Sequence, residues 1–188
     1  MLALRQNDPK IALNYAIRAE NLEPSRAGYH TYTGQILLRM GHYQEAAERA
    51  RFVADRWTAT DHNEAYELWT SIPEANRPVG DSIVEDRPKD SQRAEGSLKA
   101  ATCGDRTQWS LSLSQGDQSL SFRQGDKFRW GYSDTLWYGQ NHISICRGLE
   151  GKRTIVFYKP SHEGNVTGEA LEVEVRNDLP PAPKAPAD

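Results

Sequence analysis

The chain has 188 residues, with 23 Lys and Arg against 26 Asp and Glu, and its formal charge of −3 creates no long-range field to gather nucleic acid or anionic lipid. No apolar run approaches the roughly 20 residues that a membrane-spanning helix needs, so no membrane segment is expected, and the opening MLALRQNDPK lacks the basic-then-apolar pattern of an export signal. The two cysteines, Cys103 and Cys146, are too few for a disulfide scaffold and lack the close spacing of a zinc site, so neither a metal nor any other cofactor is expected. They form either one bridge or two small buried side chains.

A period of 34 residues runs through the first part of the chain. It relates Ala12 to Ala46, Ala19 to Val53, Leu4 to Leu38 and Pro24 to Thr58. Helical spacing fills the same register: Ile11, Tyr15, Ala16 and Ala19 form one apolar stripe, Ile36, Leu37 and Met40 another, and Ala46, Ala47, Ala50 and Val53 a third. Gly41 ends one helix and Tyr43 to Glu45 open the next. Asp61 is the expected cap of a last helix over 63–71, which Pro73 stops.

Residues 27–60 resemble a tetratricopeptide repeat. Gly34 stands where the paired helices touch, Gly41 and Tyr43 at the turn, and Ala46 at the small position of the second helix. Thr33, His30 and Thr58 depart from the pattern, standing for its leucine, bulky aromatic and proline. In this register only residues 1–5 remain for the helix before the first one, so the array, residues 1–73, is expected to be the C-terminal part of a longer one. The resemblance implies a concave face lined by Thr31, Gln35, Leu38 and Arg39, then His62 and Trp69. On that face Arg39 would hold a carboxylate and Trp69 an apolar anchor of a protein or peptide partner. Self-association through the open end of the repeat is a further expectation.

Residues 74–94 are rich in proline and charge and are expected to be an exposed linker; residues 177–188 form a proline and alanine tail. Between them the periodicity changes to two, in Leu111 and Leu113, Leu120 and Phe122, Ile143 and Ile145, and Leu171, Val173 and Val175. The apolar run 153–159 predicts a central strand, Gln115-Gly116-Asp117 a hairpin, and residues 97–103 the first strand. Short strands over 95–176 predict a small antiparallel β-barrel, giving an α+β chain of two domains. The pattern resembles an OB-type barrel, with the irregular stretch 133–141 where such barrels often carry a helix. It is also similar to barrels that end bacterial repeat proteins, which implies no activity.

The segment FRWGYSDTLWYG, residues 128–139, places five aromatics in twelve residues. Trp130, Tyr132, Trp137 and Tyr138 could stack on the bases of single-stranded nucleic acid or on sugars, or they simply close the ends of a small barrel. Residues 95–176 hold ten basic and ten acidic side chains, so nucleic acid is not favoured unless Arg123, Lys127, Arg129 and Arg147 converge. The five histidines are scattered, and Cys146 with His142 is the nearest approach to a nucleophile and base. Asn165-Val166-Thr167 satisfies the glycosylation sequon. The sequence is therefore expected to encode a non-catalytic interaction scaffold.

Overall fold

The computed structural model describes residues 8–103, 109–133, 148–161 and 164–176. Among these, four α-helices precede a closed five-stranded barrel, an α+β arrangement, and the chain divides into two compact units after Asp86. Residues 1–5, 134–147 and 177–188 lie outside the described residues, and with them the first partial helix, the Ile143 and Ile145 strand, most of the irregular stretch and the tail.

Helix α1 (Pro9–Leu22) starts where the Asp8 carboxylate accepts the Lys10 and Ile11 amides at 3.1 Å, with Pro9 at the first helical position. Helix α2 (Ala27–Arg39) ends at Gly41, whose φ of +79° suits glycine, while the His42 amide donates to the Leu37 carbonyl at 2.9 Å. Helices α3 (Tyr43–Ala54) and α4 (Ala59–Ser71) follow. Pro9 to Tyr43 is 34 residues, the period of the sequence, and Ala27 to Ala59 is 32.

The repeated alanines are the buried ones: Ala12 and Ala16 on α1, and Ala46 and Ala50 on α3, are at most 5% exposed. Small side chains let the helix backbones approach. At Gly34 a Cβ would lie 2.4 Å from Leu68 Cδ2 and 3.1 Å from Arg49 Cβ, so α2 meets α3 and α4 where no side chain fits.

The two departures within α2 have different outcomes. His30 fills the aromatic position: its ring lies 4.6 Å from Phe52 and 6.0 Å from Trp57, and Nε2 donates to the Pro24 carbonyl at 2.9 Å. Thr33 is buried, and its hydroxyl has no hydrogen-bond partner among the described residues. A buried orphan hydroxyl destabilises. Thr33→Val, which keeps the shape, is expected to stabilise the helical unit by about 1 kcal/mol, seen as a higher urea midpoint with an unchanged slope.

Several expectations for the helices need correction. Ile11 and Tyr15 are 46% and 65% exposed, and the inward face of α1 is Ala12, Ala16 and Glu20. Glu20 is tolerated there because Arg49 lies 3.3 Å from one of its oxygens; the other, 3.5 Å from His30 Nδ1, makes no hydrogen bond among the described residues. Apolar periodicity cannot anticipate a buried, partnered carboxylate. Helix α4 begins at Ala59, not at 63, and Asp61 does not cap it. Instead the Ala59 amide donates to Asp86 Oδ2 at 2.7 Å, from a residue far along the chain.

Residues 74–94 are not one exposed linker. Residues 74–76 form a turn of 3₁₀-helix, Ile83 is buried in the helical core, and the last three residues belong to a strand. Arg77 donates to the Ile72 and Thr70 carbonyls at 2.8 Å, closing the C-terminus of α4. In the 34-residue register, 77–88 is the place of another second helix. Pro78 would be tolerated in its first turn, but Gly80 takes φ +83°, outside any helix, and Pro88 stands at its far end.

The barrel consists of β1 (Gln92–Cys103), β2 (Trp109–Gln115), β3 (Gln118–Tyr132), β4 (Arg153–Pro160) and β5 (Gly168–Val175), in the ring order β1-β2-β3-β5-β4. Strand β1 starts before the expected residue 97. Strands β2 and β3 are joined by a two-residue loop in which Gly116 has φ +58°. The pairings are antiparallel except β3 with β5, which is parallel. The barrel is antiparallel, as expected, in four of its five pairings; the fifth is parallel because directions cannot alternate around a closed ring of an odd number of strands.

Leu98, Leu111, Leu113, Phe122, Val156, Ala170, Val173 and Val175 fill the interior. Leu171, expected inside, is skipped by the pairing on both sides, and this bulge puts Ala170 on the face of Val173 and Val175. Ile155, Val156 and Phe157 are all fully buried, as a central strand requires.

Candidate peptide-binding site

The helical face expected to be concave and open is divided in its exposure. Thr31 is 2% exposed and its hydroxyl donates to the Ala27 carbonyl at 3.4 Å. Trp69 is 4% exposed and packs in the core with Leu37, Leu68 and Ile72. Neither is a free contact residue. Both sit on the inward side of their helices, where a repeat register carried over from a family cannot distinguish lining from packing. Gln35 and Leu38 are half-buried, and Arg39 is exposed. Burial pushes the neighbouring Tyr32 hydroxyl up, a shift that the Arg39 charge partly opposes.

His62, the remaining member of the set, is engaged by the chain itself. Its Nδ1 lies 3.0 Å from the Ala54 carbonyl and its Nε2 2.7 Å from the Val84 carbonyl. Carbonyl oxygens only accept, so the ring donates to both when it carries both protons.

Around this histidine residues 81–86 lie extended on α3 and α4. The Asn63 carboxamide grips Asp86 at two points: Nδ2 donates to the Asp86 carbonyl and Oδ1 accepts the Asp86 amide, both at 2.6 Å. Arg51 donates to the Ser82 carbonyl at 3.3 Å and lies 3.4 Å from the Asp81 carboxylate. Ile83 enters the apolar cluster of Leu37, Leu68, Trp69 and Ile72, while Val84 is 73% exposed. Backbone groups at 82, 84 and 86 are thus held by side chains, and the intervening Ile83 points inward.

The energies explain why such a segment is held without being locked. Burying Ile83 is worth about 2–3 kcal/mol, and five hydrogen bonds of about 0.5–1.5 kcal/mol each bring the gain to roughly 5–10 kcal/mol. Ordering six residues at about 1–2 kcal/mol each opposes it by a similar amount. The balance is within a few kcal/mol of zero.

In the barrel, Trp130 and Tyr132 are half-buried and stack on each other at 5.9 Å, while Trp130 also meets Phe128 at 4.9 Å and Trp109 at 5.2 Å. All four rings pack against the barrel core, and burial pushes the Tyr132 hydroxyl up. Trp137 and Tyr138 lie outside the described residues, as do His142, Cys146 and Arg147. Arg123 donates to Glu169 at 2.5 Å and Arg129 to Glu172, so two of the four cations considered for nucleic acid are neutralised by carboxylates. Lys127 is exposed. Glu95 accepts from Arg153 and Arg93, each at 2.6 Å. Burial alone would raise its carboxyl, but the two guanidiniums outweigh that and hold it below the usual carboxylate range.

Cys103 is disulfide-bonded, and Cys146 is the chain's only other cysteine. Asn165 is exposed, while the Thr167 hydroxyl of its sequon accepts the Ser121 amide at 3.1 Å.

The chain matches no protein-family model, and no curated protein or solved structure matches it significantly.

The docked segment escaped the sequence reading. Asn63 and Asp86 are polar residues 23 positions apart, and Arg51 reads as an ordinary exposed helix residue. The one available signal was Ile83 and Val84, an isolated β-branched pair inside a charged, proline-flanked stretch.

Proposed function

We propose that the chain is a non-catalytic protein–protein interaction scaffold, in which a helical unit of tetratricopeptide type binds extended peptide and a barrel of OB type is appended. The observation that carries this reading is the grip of Asn63, His62 and Arg51 on the backbone of residues 81–86. Side chains that satisfy backbone groups at alternate residues are a means of binding peptide with little dependence on its sequence.

The repeat assignment is supported by the 34-residue spacing of α1 and α3 and by the tight contact at Gly34. A closed barrel of five strands in the order β1-β2-β3-β5-β4 supports the second resemblance. The disulfide at Cys103 favours an oxidising compartment.

Selection of a displayed library of unstructured peptides on the full chain tests the scaffold. Enriched ligands are expected to bind at least tenfold more weakly to either Arg39→Glu or Asn63→Ala. Recovery of no ligand above background, or of ligands indifferent to both changes, ends the reading.

A further inference from the structure

We propose that the end of the helical unit is a docking site for an acidic, extended segment of a partner protein, with a β-branched residue three positions before an aspartate. Residues 81–86 are its built-in competitor. This deepens the scaffold reading and rests on it.

The receptor surface belongs to helices. Asn63 is 1% exposed on α4, with its carboxamide turned to the peptide backbone, and His62 and Arg51 stand on α4 and α3. Most of the grip falls on backbone groups at 82, 84 and 86, which every peptide has. Selectivity resides in three side chains of the bound segment. Ile83 is buried as a member of the apolar cluster of Leu37, Ala46, Ala47, Ala50, Leu68, Trp69 and Ile72. Asp86 accepts the first amide of α4, at the positive end of the helix dipole. Asp81 lies beside Arg51. Val84 is left in solvent, so that position is free to vary.

The charge complementarity fixes the sign of the partner. A guanidinium at one end and a helix N-terminus at the other select a segment with acidic residues at both ends. Arg51 also pairs with Asp55 of its own helix at 3.3 Å, so the stronger demand is at the other end, where a basic or neutral segment would leave the Ala59 amide without its carboxylate.

The residues that flank the segment lie in solvent. Val79 is fully exposed, Gly80 has φ +83°, and Arg87 on the far side is exposed. Tethering nevertheless gives the internal segment an effective concentration on the order of millimolar. A partner therefore succeeds by binding more tightly than the internal copy or by presenting several copies, and the site is closed to weak, dilute peptides.

The test uses the full chain and a fluorescein-labelled peptide of residues 79–88, VGDSIVEDRP, followed by fluorescence anisotropy. The variant Ile83→Ser with Asp86→Ala disables the competitor and changes no residue of the helices. It is expected to bind the peptide at least tenfold more tightly than the native chain, and adding Asn63→Ala is expected to abolish the gain. A peptide with the same two changes should bind neither chain.

Equal affinity of the native and released chains overturns the proposal, as does equal binding of the altered peptide. If the double variant does not fold by far-UV circular dichroism, Asp86→Ala alone decides by the same comparison. Exchange of the segment between copies, seen as concentration-dependent dimers by light scattering with no capture of added peptide, would overturn the partner assignment in favour of a second copy. Display-selected ligands that are lost in Arg39→Glu but not in Asn63→Ala would remove this site while leaving the scaffold intact.

Discussion

Glu174→Ala is expected to destabilise the barrel by about 3 kcal/mol, enough to lower its folding constant by about two orders of magnitude. Glu174 is fully buried, and its Oε2 accepts from Arg176 at 2.6 Å, itself 2% exposed. Removing the carboxylate leaves a guanidinium out of water without its countercharge, and this, not the loss of attraction, is the large cost. Arg176 has further contacts, which places the effect at the lower end of what such a deletion causes. The double change Glu174→Leu with Arg176→Met removes both charges and keeps the volume, and it is expected to return the barrel to within about 1 kcal/mol of the native chain. Native-state hydrogen exchange of Leu111 and Val173 measures this in the barrel alone. A Glu174→Ala chain with unchanged protection, or a double variant as unstable as the single one, would reject the account.

These residues mark the limit of what the sequence conveys. Alternation in LEVEV identifies Val173 and Val175 as inward, and they are in the core. The same pattern assigns Glu172 and Glu174 to the outer face, where a glutamate is ordinarily solvated; both are fully buried. Periodicity reports which side of a strand a residue takes, not whether that side is covered. In the helices the difficulty is similar. Spacing and small residues identify Ala46, Ala50 and Gly34 because close backbone approach demands particular residue types there. It cannot place Glu20 inside, because its burial depends on Arg49, 29 positions away. The candidate site was legible only in part: His62 does meet the bound segment, at the Val84 carbonyl, while Trp69 belongs to the same apolar cluster as Ile83, and the segment itself resembles a linker by composition.

Asn63→Ala is expected to free residues 81–86 in the native chain. Its carboxamide makes both the donor and the acceptor contact to Asp86, and together these are worth about 2 kcal/mol. A loss of that size raises the ratio of open to closed segment roughly thirtyfold. The readout is cleavage after Glu85 by a glutamate-specific protease, since Glu85 lies within the held segment and is half-buried. When opening and closing are fast relative to cleavage, the cutting rate follows the open population. The variant should therefore be cut after Glu85 faster than the native chain, by at most roughly thirtyfold and by that much only where the native segment is almost wholly closed, with the helices still protected. Asn63→Asp separates the two contacts: it keeps an acceptor for the Asp86 amide but turns a carboxylate oxygen toward the Asp86 carbonyl. It should thus release the segment at least as fully as alanine. A native-like cleavage rate in both variants would mean that Ile83, Arg51, His62 and the Ala59 amide hold the segment without it, and that the carboxamide has no part in gripping peptide.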